Sequence, residues 1–215
     1  MPEFTLVIAN KKYSSWSLRP WLVMKRLGLD FEEIMIPLYQ PDTREKIRAH
    51  TGSGKVPVLE HDGAVVWESL AICEYLAELF PKAGLWPGDR TARALARAAS
   101  NEMHGGFQAL RANMPCNFLA SYPGKGRTPE VDEDVRRIDG MWEDCLRRSG
   151  GPFLFGAFTI ADAMYAPVVS RFRTYGVSLS PAARAYADAV WALPEMQAWL
   201  KEARAEPYTI TQYEM

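Results

Sequence analysis

The 215-residue chain has few of the residues that mark disulfide-bonded or metal-binding proteins. It contains three cysteines, Cys73, Cys116 and Cys145, and three histidines. The cysteines form no CxxC pair, and their odd number leaves one thiol unpaired under any bridging scheme, which is typical of a reducing compartment. The histidines are too scattered to match a metal motif, so we expect no metal site.

The chain also lacks long apolar runs and an excess of charge of one sign. No apolar stretch approaches the roughly 20 residues that a membrane helix needs. The run from Phe4 to Ala9 is too short, and wrongly flanked, for a signal peptide. A formal charge of −1 at pH 7, with no block of Lys or Arg, gives no reason to expect a nucleic-acid partner. We therefore expect a soluble cytoplasmic protein that binds neither membranes nor nucleic acid.

The first 80 residues alternate strand-like and helix-like patterns. In chain order these are FTLVIA, SLRPWLVMKRLGL, FEEIMIPL, PDTREKIRAH, the two halves of VPVLEHDGAVVWE, and SLAICEYLAELF. Asp62-Gly63 is a pair favoured in tight hairpins. Ser69 is the predicted N-cap of the last helix. Because a helix tolerates proline only in its first turn, Pro20 predicts that the first helix begins near Ser15 to Ser17. The order β-α-β-α-β-β-α predicts an α/β layer with a mixed sheet.

The character of the chain changes after PKAGLWPGDR, residues 81–90, whose proline, glycine and charge are typical of a linker. Beyond it, helical periodicity is broken only by turns. The predicted helices cover residues 91–122, 128–148, 159–175, 181–192 and 194–205. Asp162, three residues after Thr159, predicts a capping box at the start of the third of these helices. The second part of the chain should be a helical bundle.

This layout resembles the glutathione transferase family. The resemblance implies a thioredoxin-like domain over residues 1–80, a linker over 81–90 and an all-helical domain over 91–215. Three motifs carry it. SSWSLR, from Ser14, is similar to the SSCSxR signature of the zeta class, which includes maleylacetoacetate isomerases. KVPVLEHDG, from Lys55, lies where the family places a cis-proline. WESLAICEYL, from Trp67, is similar to the family's Gln/Glu-Ser-x-x-Ile-x-x-Tyr-Leu pattern.

The resemblance gives the serines of the first motif a chemical role. A free thiol has a pKa of about 8.5, so at neutral pH only a few per cent of glutathione is thiolate. A hydroxyl at a helix N-terminus can stabilise that anion through a hydrogen bond and through the helix dipole. Ser14 is the leading candidate, while Ser15 and Ser17 remain rivals as donors or as plain helix caps. Trp16 stands where zeta enzymes carry cysteine, and it either packs beside the strand or lines the electrophile pocket.

The other two motifs would hold the rest of glutathione. The resemblance implies a cis peptide at Val56-Pro57 that turns the backbone N–H and C=O of Val56 toward the cysteinyl part of glutathione. Ser69 would bind the γ-glutamyl carboxylate at a helix N-terminus, which is a natural anion site. Glu68 would accept hydrogen bonds from the γ-glutamyl ammonium. Alternatively, Ser69 only caps the helix and Glu68 is only a solvated acid.

The glycine carboxylate of glutathione needs a positive or amide group from the region before Pro57. Gln40, His50 and Lys55 are the candidates, and the sequence does not rank them.

The electrophile pocket is predicted from NEMHGGFQALRANMP, which resembles the stretch that lines the second-substrate pocket in zeta enzymes. Met103, Phe107, Arg111 and Met114 recur at spacings of four, four and three, which places them on one helix face. Such a stripe is also typical of a helix packed in the core. An arginine within an apolar stripe should need an anionic partner, which suggests an electrophile that carries a carboxylate or is otherwise electron-rich.

Three functions follow from these motifs. The first is a glutathione S-transferase, with glutathione as co-substrate. The second is a glutathione-dependent cis–trans isomerase of the maleylacetoacetate type. The third, from another class, is a non-catalytic protein that binds glutathione or other ligands. The resemblance also implies a homodimer, in which residues such as Trp67, Tyr75, Arg93 and Arg97 face either a partner or the interface between the two domains.

Overall fold

The first part of the chain folds around a four-stranded mixed sheet in a computed structural model that describes residues 3–215. The strands are β1 (Phe4–Ile8), β2 (Phe31–Met35), β3 (Val58–His61) and β4 (Ala64–Trp67). β1 pairs in parallel with β2 and antiparallel with β3, which pairs antiparallel with β4. Asp62 and Gly63, both with positive φ, join β3 to β4. Two such residues make a type I′ turn, so the predicted hairpin is confirmed.

Three helices cover the two faces of this sheet. They are α1 (Ser15–Arg26), α2 (Thr43–Arg48) and α3 (Ser69–Leu79). Side chains alternate between faces along a strand. Leu6 and Ile8 of β1 join the large core that includes α1 and α3, whereas Val7 joins a small separate cluster with Ile47 of α2. The α/β layer is therefore as predicted, with α1 and α3 on one side and α2 on the other.

Two details of helix initiation differ from the sequence-based expectation. The first helix begins at Ser15, as expected, but Pro20 is its sixth residue and so lies beyond the first turn. The carbonyl of Trp16 consequently lacks the N–H donor that position 20 would supply. At α3 the N-cap position belongs to Glu68, with φ of 71°, and Ser69 is the first helical residue. The prediction of Ser69 as N-cap is therefore wrong by one position.

The rest of the chain is helical. Its helices are α4 (Arg90–Gly105), α5 (Gln108–Asn113), α6 (Pro129–Ser149), α7 (Ile160–Thr174), α8 (Pro181–Trp191) and α9 (Pro194–Ala205). α7 is buried along almost its whole length and packs on α1, α4 and α8. At its start the Asp162 carboxylate accepts from the backbone N–H of Thr159 at 2.7 Å and of Leu154 at 3.1 Å. Asp162 thus reaches back as predicted. Within residues 3–215, no helix is both long and apolar enough to cross a membrane.

The predicted helix over residues 91–122 is wrong, because the chain breaks between α4 and α5. A Cβ on Gly106 would lie 2.6 Å from the carbonyl oxygen of Glu102, so only glycine fits there. Phe107 follows in the left-handed region, with φ of 59°. Consequently Met103, Phe107, Arg111 and Met114 do not share one helix face.

Arg111 holds this break together. Its Nε donates to the carbonyl of Gly106 at 2.9 Å, and its Nη2 donates to the carbonyls of Met103 and His104. The last carbonyls of a helix lack partners within it and carry partial negative charge. The partner of Arg111 is therefore the end of α4, and the anionic partner expected from the sequence is not needed. Burial, the largest cause, lowers the pKa of this guanidinium to about 10.

Replacing Arg111 tests its contribution to stability. Arg111→Met should lower the free energy of unfolding by about 2 kcal/mol, because hydrogen bonds to charged groups contribute roughly 1.5–3 kcal/mol each and partial solvation reduces their sum. Urea denaturation followed by circular dichroism measures the change. The matched control is Arg137→Met, which removes an exposed pair with Glu102 and should cost less than about 1 kcal/mol. Equal losses in the two variants would contradict the role given to Arg111.

Candidate functional site

A cleft of about 530 Å³ opens beside the N-termini of α1 and α3. It brings together most of the residues predicted to bind glutathione, and one residue predicted for the electrophile pocket. The former are Ser14, Lys55, Val56, Pro57, Glu68 and Ser69, and the latter is Trp16. Leu38, Ile47, Ser53, Gly54, Trp67 and His104 complete its lining. The other predicted site residues, Ser15, Ser17, Gln40, Met103, Phe107, Arg111 and Met114, are not among the residues that line it. Of these, Met103 and Met114 are fully buried in the core.

Ser14 is both the N-cap of α1 and part of the cleft wall. Its Oγ accepts from the backbone N–H of Ser17 at 3.3 Å and donates to Ser17 Oγ at 2.8 Å. Ser17 Oγ in turn accepts from the backbone N–H of Ala9 at 3.1 Å. Because a hydroxyl both donates and accepts, the Ser14–Ser17 bond can reverse and leave the Ser14 proton free. Ser14 can then donate a hydrogen bond into the cleft without losing its cap.

Trp16 lies in the cleft wall and packs against cationic side chains. The guanidinium carbons of Arg19 and Arg111 lie 4.3 Å and 4.8 Å from the centre of its ring. His104 meets the same ring edge-on at 5.2 Å. These distances are within the range of cation–π attraction. Trp16 therefore packs against neighbouring side chains and also lines the cleft.

The segment before β3 forms another part of the wall. The Val56-Pro57 peptide is cis, as the resemblance implied. Lys55 is exposed and reaches the cleft. Gln40 is exposed, and its side-chain amide donates to the carbonyl of Leu38 at 3.4 Å. His50 pairs with Glu60 at 2.8 Å and does not line the cleft. Of the three candidates for the glycine carboxylate, only Lys55 reaches the cleft.

The start of α3 closes the cleft on the side of the helical domain. His104 Nε2 lies 3.4 Å from a carboxylate oxygen of Glu68. Burial, followed by the charge of Arg19, lowers the pKa of His104, so this imidazole is neutral at pH 7. Ser69 is fully buried, and its Oγ accepts from Nη1 of Arg19 at 3.4 Å.

Sequence reasoning did not single out two of the residues found at this site. The motifs assign no role to His104, and Arg19 is present in them only as the last residue of SSWSLR. A signal for Arg19 was present, because it lies among Leu18, Trp21 and Leu22, all of which are buried. An arginine inside such a run is seldom buried without a specific partner. His104 has no such signal, because its position depends on where α4 ends.

The loop that precedes Ser14 is held by the C-terminal segment. Glu206 accepts from the backbone N–H groups of Lys11 at 2.7 Å and Lys12 at 3.3 Å. Glu214 accepts from the Lys12 ammonium at 2.7 Å and the Tyr13 hydroxyl at 2.5 Å. Charge-assisted hydrogen bonds of this kind are among the strongest in proteins. The end of the chain thus fixes the backbone from which Ser14 extends.

Glu3, His61 and Asp62 form a possible metal-ligating group outside the cleft. Their ligand-type atoms lie within 4.8 Å of one another. Both ring nitrogens of His61 already have hydrogen-bond partners, Nδ1 with Tyr75 at 2.8 Å and Nε2 with Glu3 at 3.1 Å. An ion would have to displace the Glu3 contact.

Comparison with known proteins agrees with the fold. Residues 13–79 match the family model described as glutathione S-transferase, N-terminal domain, and residues 94–202 match the one described as glutathione S-transferase, C-terminal domain.

Individual relatives point the same way. The chain is 31% identical over 172 residues to a probable maleylacetoacetate isomerase of Caenorhabditis elegans, which covers 78% of each protein. It is 30% identical over 171 residues to a maleylacetoacetate isomerase of Rattus norvegicus, which covers 78% of this chain and 77% of the relative. A glutathione transferase homologue from Burkholderia GL BGR1, crystallised with bound glutathione, superposes with a TM-score of 0.73 at 26% identity and covers 94% of this chain and 98% of that one. This chain belongs to the glutathione S-transferase family.

Proposed function

We propose that this protein is a glutathione S-transferase in which the Ser14 hydroxyl stabilises the thiolate of glutathione. The observation that carries the proposal is the position of Ser14. It caps α1 and lines the cleft that also contains Val56, Glu68 and Ser69. The glutathione bound in the Burkholderia homologue supports glutathione as the co-substrate.

The energetic requirement is modest. To lower the thiol pKa by about 2 units, the site must favour the thiolate by roughly 2.7 kcal/mol. A hydrogen bond from Ser14 is charge-assisted, and the N-terminus of α1 adds the favourable end of the helix dipole. Ser17 supports this arrangement when it donates to Ser14, because the Ser14 proton then points at sulfur. Serine serves as an oriented donor and need not accept a proton.

The remaining parts of glutathione are assigned to the same cleft. The backbone of Val56 pairs with the cysteinyl unit, Ser69 binds the γ-glutamyl carboxylate, and Glu68 binds the γ-glutamyl ammonium. Lys55 binds the glycine carboxylate, because Gln40 and His50 lie outside the cleft wall. A helix N-terminus at Ser69 favours an anion for the same reason that α1 favours a thiolate.

The transfer step needs no further group on the protein. The thiolate uses a sulfur lone pair to form a bond to an electrophilic carbon, and the leaving group departs with the electrons of the broken bond. Trp16 and His104 lie at the wall where an electrophile would enter next to Ser14. The aromatic ring of Trp16 suits a flat or apolar electrophile.

A second candidate function is favoured by the relatives. Both isomerases named above match over most of their length. In a glutathione-dependent isomerisation, the thiolate adds to a conjugated double bond, the new single bond rotates, and the thiolate leaves again. Trp16, in place of the cysteine that zeta enzymes carry, weakens this alternative. Turnover of a maleyl-type substrate compared with chlorodinitrobenzene distinguishes the two functions.

Replacing the hydroxyl of Ser14 tests the thiolate assignment. Ser14→Gly removes the hydroxyl at a cost of only a few tenths of a kcal/mol to the helix cap. The pKa of bound glutathione, measured from thiolate absorbance near 240 nm, should rise by about 1 unit or more, because about 1.4 kcal/mol of anion stabilisation is lost. Ser14→Thr, which keeps a hydroxyl, should restore most of the thiolate.

Ser15→Ala is the matched control, since Ser15 lies on the same turn but does not line the cleft. An unchanged thiol pKa in Ser14→Gly would contradict the assignment. A larger effect of Ser15→Ala would transfer the role to Ser15.

We further propose that the protein is a homodimer that buries its exposed apolar side chains. Val65 and Leu95 are 42% and 40% exposed, and Trp67 is 52% exposed. A cavity of about 480 Å³ between α4 and α6 lies beside Leu95. The other residues considered for this face have partners within the chain: Tyr75 binds His61, Arg97 binds Glu74, and Arg93 binds loop carbonyls.

A charge at Leu95 tests the dimer. Leu95→Glu should convert the protein to a monomer at micromolar concentration, because it places an unpaired charge in a desolvated interface. Analytical ultracentrifugation measures the mass. Ala182→Glu, which adds the same charge at an exposed position of α8, should leave the mass unchanged. A dimeric Leu95→Glu variant would place the interface elsewhere.

A further inference from the structure

Arg19 is a buried positive charge without a counterion. It lies in α1 with no exposed surface, and within residues 3–215 its Nε and Nη2 have no hydrogen-bond partner. No carboxylate of that part of the chain forms a salt bridge with it. A charge held in the interior without compensation is strongly unfavourable. Such an arrangement is expected where a ligand supplies the missing charge.

The groups around Arg19 do not balance its charge. Arg111 and Arg171 lie close enough to repel it, and they lower its pKa, after burial as the main cause, to about 9. Arg19 is therefore still protonated at pH 7. The nearby thiols are neutral there, since burial raises the pKa of Cys73 to about 12 and also raises that of Cys116. The region behind the cleft thus carries a net positive charge.

A hydrogen bond from Arg19 leads to the cleft. Nη1 donates to Ser69 Oγ at 3.4 Å, and Ser69 lines the cleft. Because the Ser69 oxygen accepts this hydrogen bond, the hydroxyl proton of Ser69 is free to point away from Arg19. The guanidinium also packs on the ring of Trp16, another residue of the cleft wall. Its central carbon lies 4.3 Å from the centre of that ring. Arg19 is therefore connected to the cleft through Ser69 and Trp16.

We infer that Arg19 is the positioning residue that selects the α-carboxylate of the γ-glutamyl unit, by directing the Ser69 proton toward it and supplying its counter-charge. The inference rests on the proposed function, because it needs glutathione in the cleft. It adds a residue that does not touch the ligand. The free protein keeps an uncompensated charge, and the carboxylate neutralises it on binding.

A cycle of two proteins and two ligands tests this inference. The ligands are glutathione and 4-aminobutyryl-cysteinylglycine, which lacks only the α-carboxylate. The proteins are the wild type and Arg19→Met, which keeps much of the side-chain volume and removes the charge. Calorimetric titration should show glutathione binding weakened at least about 10-fold in the variant, while binding of the analogue changes less than about 2-fold. Retained binding of the analogue also shows that the variant is folded.

Four further variants locate the effect. Arg19→Lys keeps the charge and should restore part of the preference for glutathione. Ser69→Ala should reduce that preference, and adding it to Arg19→Met should cause little further loss, because the two residues act in series. Arg171→Met is the matched control. It removes another buried arginine, one whose Nε donates to the carbonyl of Met114, and it should leave the preference unchanged.

The possible results distinguish a failure of the Arg19 inference from a failure of the proposed glutathione-dependent function. If the wild type binds neither ligand, the proposed function fails and the inference falls with it. If the wild type binds glutathione but Arg19→Met weakens both ligands equally, or neither, the inference is wrong while the proposed function stands. An equal loss of preference in Arg171→Met would also overturn it, since a general positive field would then explain the selectivity.

Discussion

The site depends on the junction where the chain leaves β1 and enters α1. A helix must satisfy the free N–H groups of its first turn, and here Ser14 does so while it faces the cleft. The junction is held on the strand side by the bond from Ala9 to Ser17, and on the far side by Glu206 and Glu214. A hydroxyl that stabilises an anion must be held to within about half an ångström, and these contacts from three segments restrict the Ser14 backbone accordingly.

Several groups placed around the cleft share a positive or partial positive charge. Two helices, α1 and α3, begin at its wall, and each N-terminus carries partial positive charge. Behind them lies the buried Arg19, which stays protonated at pH 7, while His104 is neutral. Glutathione carries two carboxylates and, once activated, a thiolate. In the proposed function these groups would favour an anionic ligand, at a cost to the stability of the free protein.

Local patterns were sufficient for most of the fold. The hairpin at Asp62-Gly63 and the start of α7 at Thr159 depend on contacts between residues close in sequence, and both were predicted correctly. The break after α4 was missed although Gly105-Gly106 marked it, because the apolar spacing continued across the pair. The caps depend on where each strand ends. The sequence did not decide which serine caps α1, and it placed the cap of α3 one residue too late. The division of the chain at residues 81–90 stays a prediction.

The site was predictable only where a motif carried it. Ser14, Val56 and Ser69 came from the family resemblance and lie in one cleft, whereas Met103 and Met114 fit an apolar stripe and lie in the core. Arg19 and His104 depend on packing between the two parts of the chain, which no local pattern reports. The most direct test of the account is a crystal structure of the protein with glutathione. Ser14 Oγ should lie within hydrogen-bonding distance of the glutathione sulfur, whereas Ser15, Ser17 or no hydroxyl at that distance would contradict the role proposed for Ser14.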